Sequence, residues 1–169
     1  MTSEGRPNRP VVVYTDGGSR HNPGPAAIGV ALFDREALGK PADEGRDPEP
    51  FFQVGAFIGQ ATNNVAEYRA LLRGLEAAIS AGATAIEVRS DSELLIKQMK
   101  GAYQVRNEGL IPLHGRARVL AMKLPTRFVH VPREANRLAD RLVNRALDEW
   151  ERRTKDDRQN GAAQEQTKS

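Results

Sequence analysis

The sequence predicts an α/β domain with a five-stranded mixed sheet flanked by helices, and three observations lead to this prediction. Five short runs rich in β-branched and aromatic residues are separated by turn-rich or helix-patterned segments. The first three runs are joined only by loops, which favours an antiparallel meander. Each of the last two follows a segment of helical periodicity, which favours parallel strands with helical crossovers.

The meander is predicted from residues 11–16, 27–33 and 51–58. The first run is dense in valine and ends in Tyr-Thr-Asp, a composition typical of a strand buried on both faces. Glycine, asparagine and proline crowd residues 17–25, which predicts a turn-rich loop. Residues 34–50 contain three prolines and mixed charges, so we predict a long exposed hairpin loop there.

Helical spacing of apolar residues begins at Val65 and continues to Ile79, and Gly82 is a suitable end for this helix. A short strand follows at residues 86–90. Ser90 and Glu93 have the spacing of a capping box, which predicts the start of a second helix there.

Gly101 should end that second helix, and a third is predicted over residues 111–124. The last strand is predicted at residues 127–131. Asn136 is a good N-cap residue for a final helix that reaches about Trp150.

The domain organisation follows from these elements. We predict a disordered N-terminal tail at residues 1–9, one folded domain at residues 10–150, and a disordered C-terminal tail at residues 151–169. The last segment is polar, rich in glutamine and almost free of large apolar side chains.

Composition excludes several classes of protein. The 169 residues contain no cysteine, which excludes disulfides and thiolate metal sites, and no apolar stretch approaches a membrane span. The start of the chain lacks an apolar signal core, so we expect a cytoplasmic protein with no membrane partner. We also expect a monomer. A net charge of +3 is compatible with a polyanionic partner but is weak evidence alone.

Two acids are predicted at positions where acids are costly to bury. Asp16 ends the first strand beside an apolar run, although Asp16 followed by Gly17 is also a common turn pair. Glu67 lies on the same helical stripe as Ala70 and Leu71, which must pack on the sheet. A first-turn glutamate can instead simply complement the helix dipole.

Two further acids lie at element ends. Asp91 follows a strand at its carboxyl end, where sites usually form in sheets with helical crossovers, although it could also cap a helix. Asp140 lies in the first turn of the last helix, where its negative charge could simply complement the helix dipole. Four hard oxygen ligands without histidine or cysteine suit Mg²⁺ or Mn²⁺, and two such ions could bracket a phosphodiester.

The sequence resembles the type 1 ribonuclease H family in four motifs, which occur in the same order as in that family. They are TDGGS with NPGP at residues 15–19 and 22–25, ATNNVAE at 61–67, SDS at 90–92 and NRLAD at 136–140. The resemblance spans roughly residues 11–150. It implies a ribonuclease H-like fold and endonucleolytic cleavage of the RNA strand of RNA/DNA hybrids, leaving 5′-phosphate and 3′-hydroxyl ends.

The resemblance also implies roles for individual residues. The metal-binding and catalytic acids would be Asp16, Glu67, Asp91 and Asp140, with Asp16 shared by two Mg²⁺ or Mn²⁺ ions. The substrate-binding positions would be Gly17, Gly18, Ser19, Asn22, Thr62, Asn63, Asn64 and Ser92. Amide and hydroxyl groups can read a 2′-hydroxyl, although turn formation is the alternative interpretation of the asparagines.

The sequence departs from the family pattern in two places. Residues 101–113 are short and lack tryptophan, so the basic protrusion of well-known members is missing, as in smaller bacterial and archaeal forms. Affinity for the substrate could then depend on other cations, such as Arg137, Arg141 and Arg145. The alternative interpretation of these three arginines is an ordinary solvated helix face. His130 is predicted inside a strand, and Arg133 is the candidate catalytic residue in place of the family's loop histidine.

Two alternative functions stay open at this point. A non-catalytic hybrid-binding module would have little reason to keep four acids facing phosphate. A nuclease of the same fold with another nucleic-acid substrate is the second alternative, because this fold carries several activities.

Overall fold

The computed structural model describes residues 8–39 and 47–167. Its elements in chain order are β1 (Pro10–Ser19), β2 (Gly24–Asp34), α1 (Arg35–Gly39), β3 (Phe52–Ala61), α2 (Asn63–Ser80), β4 (Ala85–Ser90), α3 (Glu93–Met99), α4 (Ile111–Ala121), β5 (Thr126–His130), a 3₁₀ turn (Arg133–Asn136) and α5 (Arg137–Gln166). None of the described helices combines the length and the apolar character that a membrane span requires.

The five strands form one mixed sheet in the order β3-β2-β1-β4-β5. Strands β1, β2 and β3 pair antiparallel, whereas β4 pairs parallel with both β1 and β5. The predicted fold class is therefore confirmed. Because β1, β4 and β5 are parallel, their carboxyl ends lie at one edge of the sheet, and the candidate site lies at this edge.

Helices cover both faces of the sheet. The larger core lies between the sheet and α2, where Val11, Val13 and Leu75 are at most 1% exposed. A smaller cluster under α5 joins Ala27 of β2 to Val143 and two neighbours on the helix. Full burial of such aliphatic side chains contributes about 1.5–3 kcal/mol each to stability.

Glycines allow α5 to approach the sheet closely. A Cβ atom at Gly29 of β2 would collide with the Ala139 carbonyl oxygen, and one at Gly55 of β3 would collide with the Leu142 carbonyl. These two close approaches fix the height of the first turns of α5 above the sheet. Asp140 lies in the first of these turns.

The predicted C-terminal disorder is wrong as far as Gln166, because α5 continues without a break to that residue. Two tertiary contacts extend the packed part of the helix: Trp150 stacks on Phe57 of β3 with ring centroids 4.9 Å apart, and Glu151 pairs with Arg20. Beyond them the segment is rich in helix formers, and extending an existing helix avoids the cost of nucleation.

Three smaller predictions are corrected. Helix α3 is capped by Ser92, whose hydroxyl accepts from the Leu95 N–H, and not by Ser90. In the predicted 34–50 loop, residues 35–39 form α1 and residues 40–46 lie outside the described chain. In the predicted 1–9 tail, Arg9 is anchored through a hydrogen bond from its backbone N–H to Thr84, and residues 1–7 lie outside the described chain.

Candidate active site

Three of the predicted acids converge at the carboxyl edge of the sheet. Asp16 comes from β1, Glu67 from the first turn of α2, and Asp91 directly follows β4; each offers a carboxylate oxygen within 4.8 Å of the other two. Gly17 makes this possible, because a Cβ there would collide with the backbone of Ala66, just before Glu67. Glycine thus lets the start of α2 approach the end of β1.

Burial and mutual repulsion dominate the electrostatics of this cluster. Asp16 is 9% exposed, and burial, followed by the charges of Asp91 and Asp140, raises its pKa to about 7. Burial, followed by the charge of Asp16, raises the pKa of Glu67 well above its usual value. Without a cation the cluster therefore retains protons that carboxylates ordinarily lose.

The buried acid Glu87 provides a contrast within the same chain. Glu87 is 5% exposed, and its carboxylate pairs with Arg89 and Arg127. In the part of the chain that the structure describes, no lysine or arginine forms an ion pair with Asp16 or Glu67. Protein side chains neutralise Glu87, whereas Asp16 and Glu67 have no such partner among the described residues.

The donor set fits a hard divalent ion. The buried Oε2 atom of Glu67 has no hydrogen-bond partner among the described residues. An Asp16 oxygen accepts from the Gly17 N–H at 3.0 Å, and the remaining ligand atoms near it are carboxylate oxygens. Mg²⁺ and Mn²⁺ prefer such oxygens, and a bound ion would provide the unpaired oxygen with a partner.

Asp140 and Arg133 lie in the same cleft, which has a volume of about 410 Å³. Asp140 is outside the group of three acids whose oxygens meet within 4.8 Å, but its charge contributes to the raised pKa of Asp16. Arg133 is 79% exposed on the 3₁₀ turn, and its Nη2 lies 3.9 Å from Asp140 Oδ1. The structure therefore places all four predicted acids and the predicted arginine around one cleft.

The predicted substrate-binding residues near β1 and α2 form a hydrogen-bonded network. Asn63 Oδ1 accepts from the Ser19 backbone N–H at 2.8 Å and from the Ser19 hydroxyl at 3.1 Å. Asn22 Oδ1 accepts from the Asn63 backbone N–H at 3.1 Å. The network joins the loop after β1 to the start of α2 and leaves both amide NH₂ groups able to donate elsewhere.

The other predicted substrate residues occupy different local positions. Thr62 caps α2 by accepting from the Val65 N–H, and Asn64 is exposed beside it. Gly18 and Ser92 line the cleft, and Ser92 also caps α3.

His130 lies in β5, as predicted, and makes a contact that the sequence did not suggest. Its Nε2 atom lies 3.2 Å from the Asp91 backbone carbonyl oxygen, so the ring borders the third acid of the site. His114 Nε2 lies 3.3 Å from the Gln98 carbonyl oxygen, and its ring lies edge-on to the Tyr68 ring.

Sequence reasoning missed two residues that position the site. Asn136 was predicted to cap α5, but its side chain makes no cap bond and instead donates to the Thr15 carbonyl. Arg20 lines the cleft and pairs with Asp148 at 2.6 Å and Glu151 at 2.8 Å on α5. The basic charge of Arg20 beside a loop was visible in the sequence, whereas its partners depend on the path of α5.

Comparison with known proteins identifies the family. Residues 14–146 match the family described as reverse transcriptase-like. The chain is 44% identical over 144 residues to ribonuclease HI of Halobacterium salinarum, covering 82% of this chain and 65% of that protein. The chain spans only 35% of the curated mycobacterial proteins that it also matches, at 40% identity.

Solved structures agree with these sequence matches. The crystal structure of RNase H1 from Halobacterium salinarum superposes with a TM-score of 0.74 at 42% identity, covering 83% of this chain and 98% of that one. LC11-RNase H1, solved in complex with an RNA/DNA hybrid, gives a TM-score of 0.72 at 40% identity, covering 82% and 97%. The chain therefore belongs to the type 1 ribonuclease H family.

Proposed function

We propose that this protein is an endonuclease that hydrolyses the RNA strand of RNA/DNA hybrids and leaves 5′-phosphate and 3′-hydroxyl ends. The observation that carries the proposal is the meeting of Asp16, Glu67 and Asp91 oxygens within 4.8 Å, with Asp140 in the same cleft. The similarity to an RNase H1 solved with a hybrid supports the choice of substrate.

Two Mg²⁺ ions are the proposed cofactors, with Mn²⁺ as an alternative. Asp16, Glu67 and Asp91 would hold one ion, and Asp16 with Asp140 would hold the other. Such ions would activate a water molecule and stabilise the leaving oxygen of a phosphodiester.

The protein's own groups would prepare the site for this chemistry. Asp16 and Glu67 would release protons when a cation binds, because the charge of the cation would offset the burial and the repulsion that raise their pKa values. Arg133 carries a permanent positive charge at the rim and would hold the scissile phosphate or assist product release, without transferring protons.

The network of Ser19, Asn22 and Asn63 would recognise the RNA strand. Its Oδ1 atoms are occupied by hydrogen bonds within the protein, so the amide NH₂ groups would donate to ribose and phosphate oxygens. Asn64 is exposed beside them, and Thr62 at the cap of α2 would contact a phosphate of the DNA strand. We further propose that the protein acts as a cytoplasmic monomer, and size-exclusion chromatography tests the oligomeric state.

A cleavage assay with strand-labelled duplexes tests the proposal. We expect the RNA strand of a hybrid to be cut in Mg²⁺ or Mn²⁺, no cutting with chelator, and no cutting of an all-DNA duplex. Asp16→Asn should abolish cleavage while hybrid binding in Ca²⁺ survives, since it removes a ligand and not the binding surface. Equal cutting of both duplexes would favour a nuclease with another substrate, and binding without cleavage would favour a binding module.

A further inference from the structure

We propose that a row of three arginines on α5 binds phosphates of the substrate where it leaves the cleft. The row consists of Arg137, Arg141 and Arg145, here called the α5 arginine row. The inference rests on the proposed hybrid-cleaving function and adds a second phosphate-binding surface outside the catalytic cleft.

The row lies immediately outside the wall of the cleft. A second row on α5 consists of Asp140, Asn144 and Asp148. Each of its members follows one of the arginines by three residues, and residues three apart are neighbours on a helix surface, so the two rows lie side by side. Asp140 and Asn144 line the cleft. A strand that leaves the cleft on this side would therefore meet the arginines next.

The positive charge of the row is not neutralised by neighbouring acids. The adjacent row contains two acids, and both lie against other arginines: Asp140 is 3.9 Å from Arg133, and Asp148 pairs with Arg20 at 2.6 Å. Within residues 8–39 and 47–167, none of the three arginines forms an ion pair, and all three are exposed.

The spacing of the row suits a phosphate backbone. Eight residues of helix rise about 12 Å, and successive phosphates of one strand advance about 3.4 Å along a duplex axis, so the row spans three to four phosphates. Guanidinium groups also form paired hydrogen bonds with phosphate oxygens. Charge complementarity therefore favours nucleic acid as the occupant over solvent alone.

The test compares hybrid binding by the full chain in Ca²⁺ over a range of salt concentrations. In the triple variant Arg137→Gln, Arg141→Gln, Arg145→Gln, we expect hybrid affinity to fall about tenfold or more at low salt, because three phosphate-binding cations are removed. The slope of log K against log salt should become less steep by about 2 to 3, since each phosphate that a protein neutralises on a duplex adds about 0.9 to the slope.

A matched control uses three other exposed cations further along α5. This control variant combines Arg153→Gln, Lys155→Gln and Arg158→Gln, which make the same change in charge but do not share one helix face. Its hybrid affinity and salt slope should stay close to those of wild type. Replacing the row with lysines should restore most of the slope, which separates the removal of charge from misfolding. Circular dichroism melting checks that each variant folds.

Two outcomes separate this inference from the proposed function. If the triple variant and the control have the same salt slope, the row is a solvated helix face and the inference is overturned. If wild type binds hybrid but cleaves neither strand, the proposed function fails while the slope comparison still decides the role of the row. A hybrid too short to extend past the cleft should bind the triple variant and wild type equally.

Discussion

The Asn136 side chain donates from Nδ2 to the Thr15 backbone carbonyl oxygen at 2.9 Å. Thr15 directly precedes Asp16 on β1. Asn136 is the last residue of the 3₁₀ turn, and Asp140 lies in the first turn of the helix α5 that follows. Asn136 is 1% exposed, so this hydrogen bond is shielded from water. It joins the two segments that supply Asp16 and Asp140 to the cleft.

Replacing Asn136 should therefore affect both stability and turnover. Asn136→Ala removes a buried hydrogen bond and should lower the free energy of unfolding by about 1–3 kcal/mol in urea titrations. Because Asp140 would lose its fixed distance from Asp16, kcat on a hybrid should fall by more than the change in KM.

Asn136→Asp is the matched variant, since it keeps the size of the side chain and loses the donor. At pH 8 it should be at least as destabilised as the alanine variant, because it places an unpaired buried carboxylate against the Thr15 carbonyl oxygen. Wild-type stability and kcat in Asn136→Asp would show that the side chain only fills space.

The approach of α5 to the sheet gives a second prediction. Gly29→Ala would push a Cβ into the Ala139 carbonyl, so we expect a loss of about 2 kcal/mol or more in stability and a strong loss of activity. The control is Gly115→Ala on α4, where nothing lies within 4 Å and helix propensity should raise stability by about 0.5–1 kcal/mol. Equal melting temperatures for the two variants would contradict the close approach described above.

Stability without metal should depend on pH through Asp16. Its pKa is about 7 in the folded chain and near 3.8 when unfolded, so the folded state binds more protons between these values. The contribution of this group to stability is therefore present at low pH and lost as pH rises from about 4 through 7.

Asp16→Asn tests this dependence, because it removes the titrating group and keeps the shape. In chelator, the variant should exceed wild type in free energy of unfolding by an amount on the order of 2 kcal/mol at pH 8, with little difference at pH 4. A difference that is the same at both pH values would mean that the carboxyl is not the cause.

Arg133 should affect turnover more than binding. It is largely exposed and lies near Asp140, so Arg133→Ala should lower kcat about tenfold while Kd for hybrid in Ca²⁺ changes little. Arg133→Lys keeps the charge but not the paired donors, so its kcat should lie between those of wild type and Arg133→Ala. A variant with weaker binding and unchanged kcat would make Arg133 an ordinary phosphate-binding residue.

Part of the site was predictable because its signals are local. Asp91 directly follows a strand, Glu67 lies near the start of a helix, and Asp16 lies in β1 just past the end of its parallel pairing with β4. The order of strand-like and helix-like segments was enough to predict the sheet, since crossovers between parallel strands need helices.

The remaining features depend on contacts between distant segments. Asn136 has the sequence signature of a cap, yet the nearby Thr15 carbonyl takes its amide. The helical segment after Trp150 was predicted disordered because its composition is polar, and composition does not reveal that α5 is already anchored by the stack on Phe57. Gly29 resembles any strand glycine until α5 is placed over it.

Calorimetric titration with Mn²⁺ in two buffers of different ionisation enthalpy tests the convergence of the acids most directly. Near pH 6.5, Mn²⁺ should bind wild type with release of about one proton or more, because Asp16 and Glu67 hold protons until a cation arrives. Asp16→Asn should bind Mn²⁺ far more weakly. Absence of Mn²⁺ binding, or binding with no proton release, would contradict a cluster of protonated acids that a divalent ion neutralises.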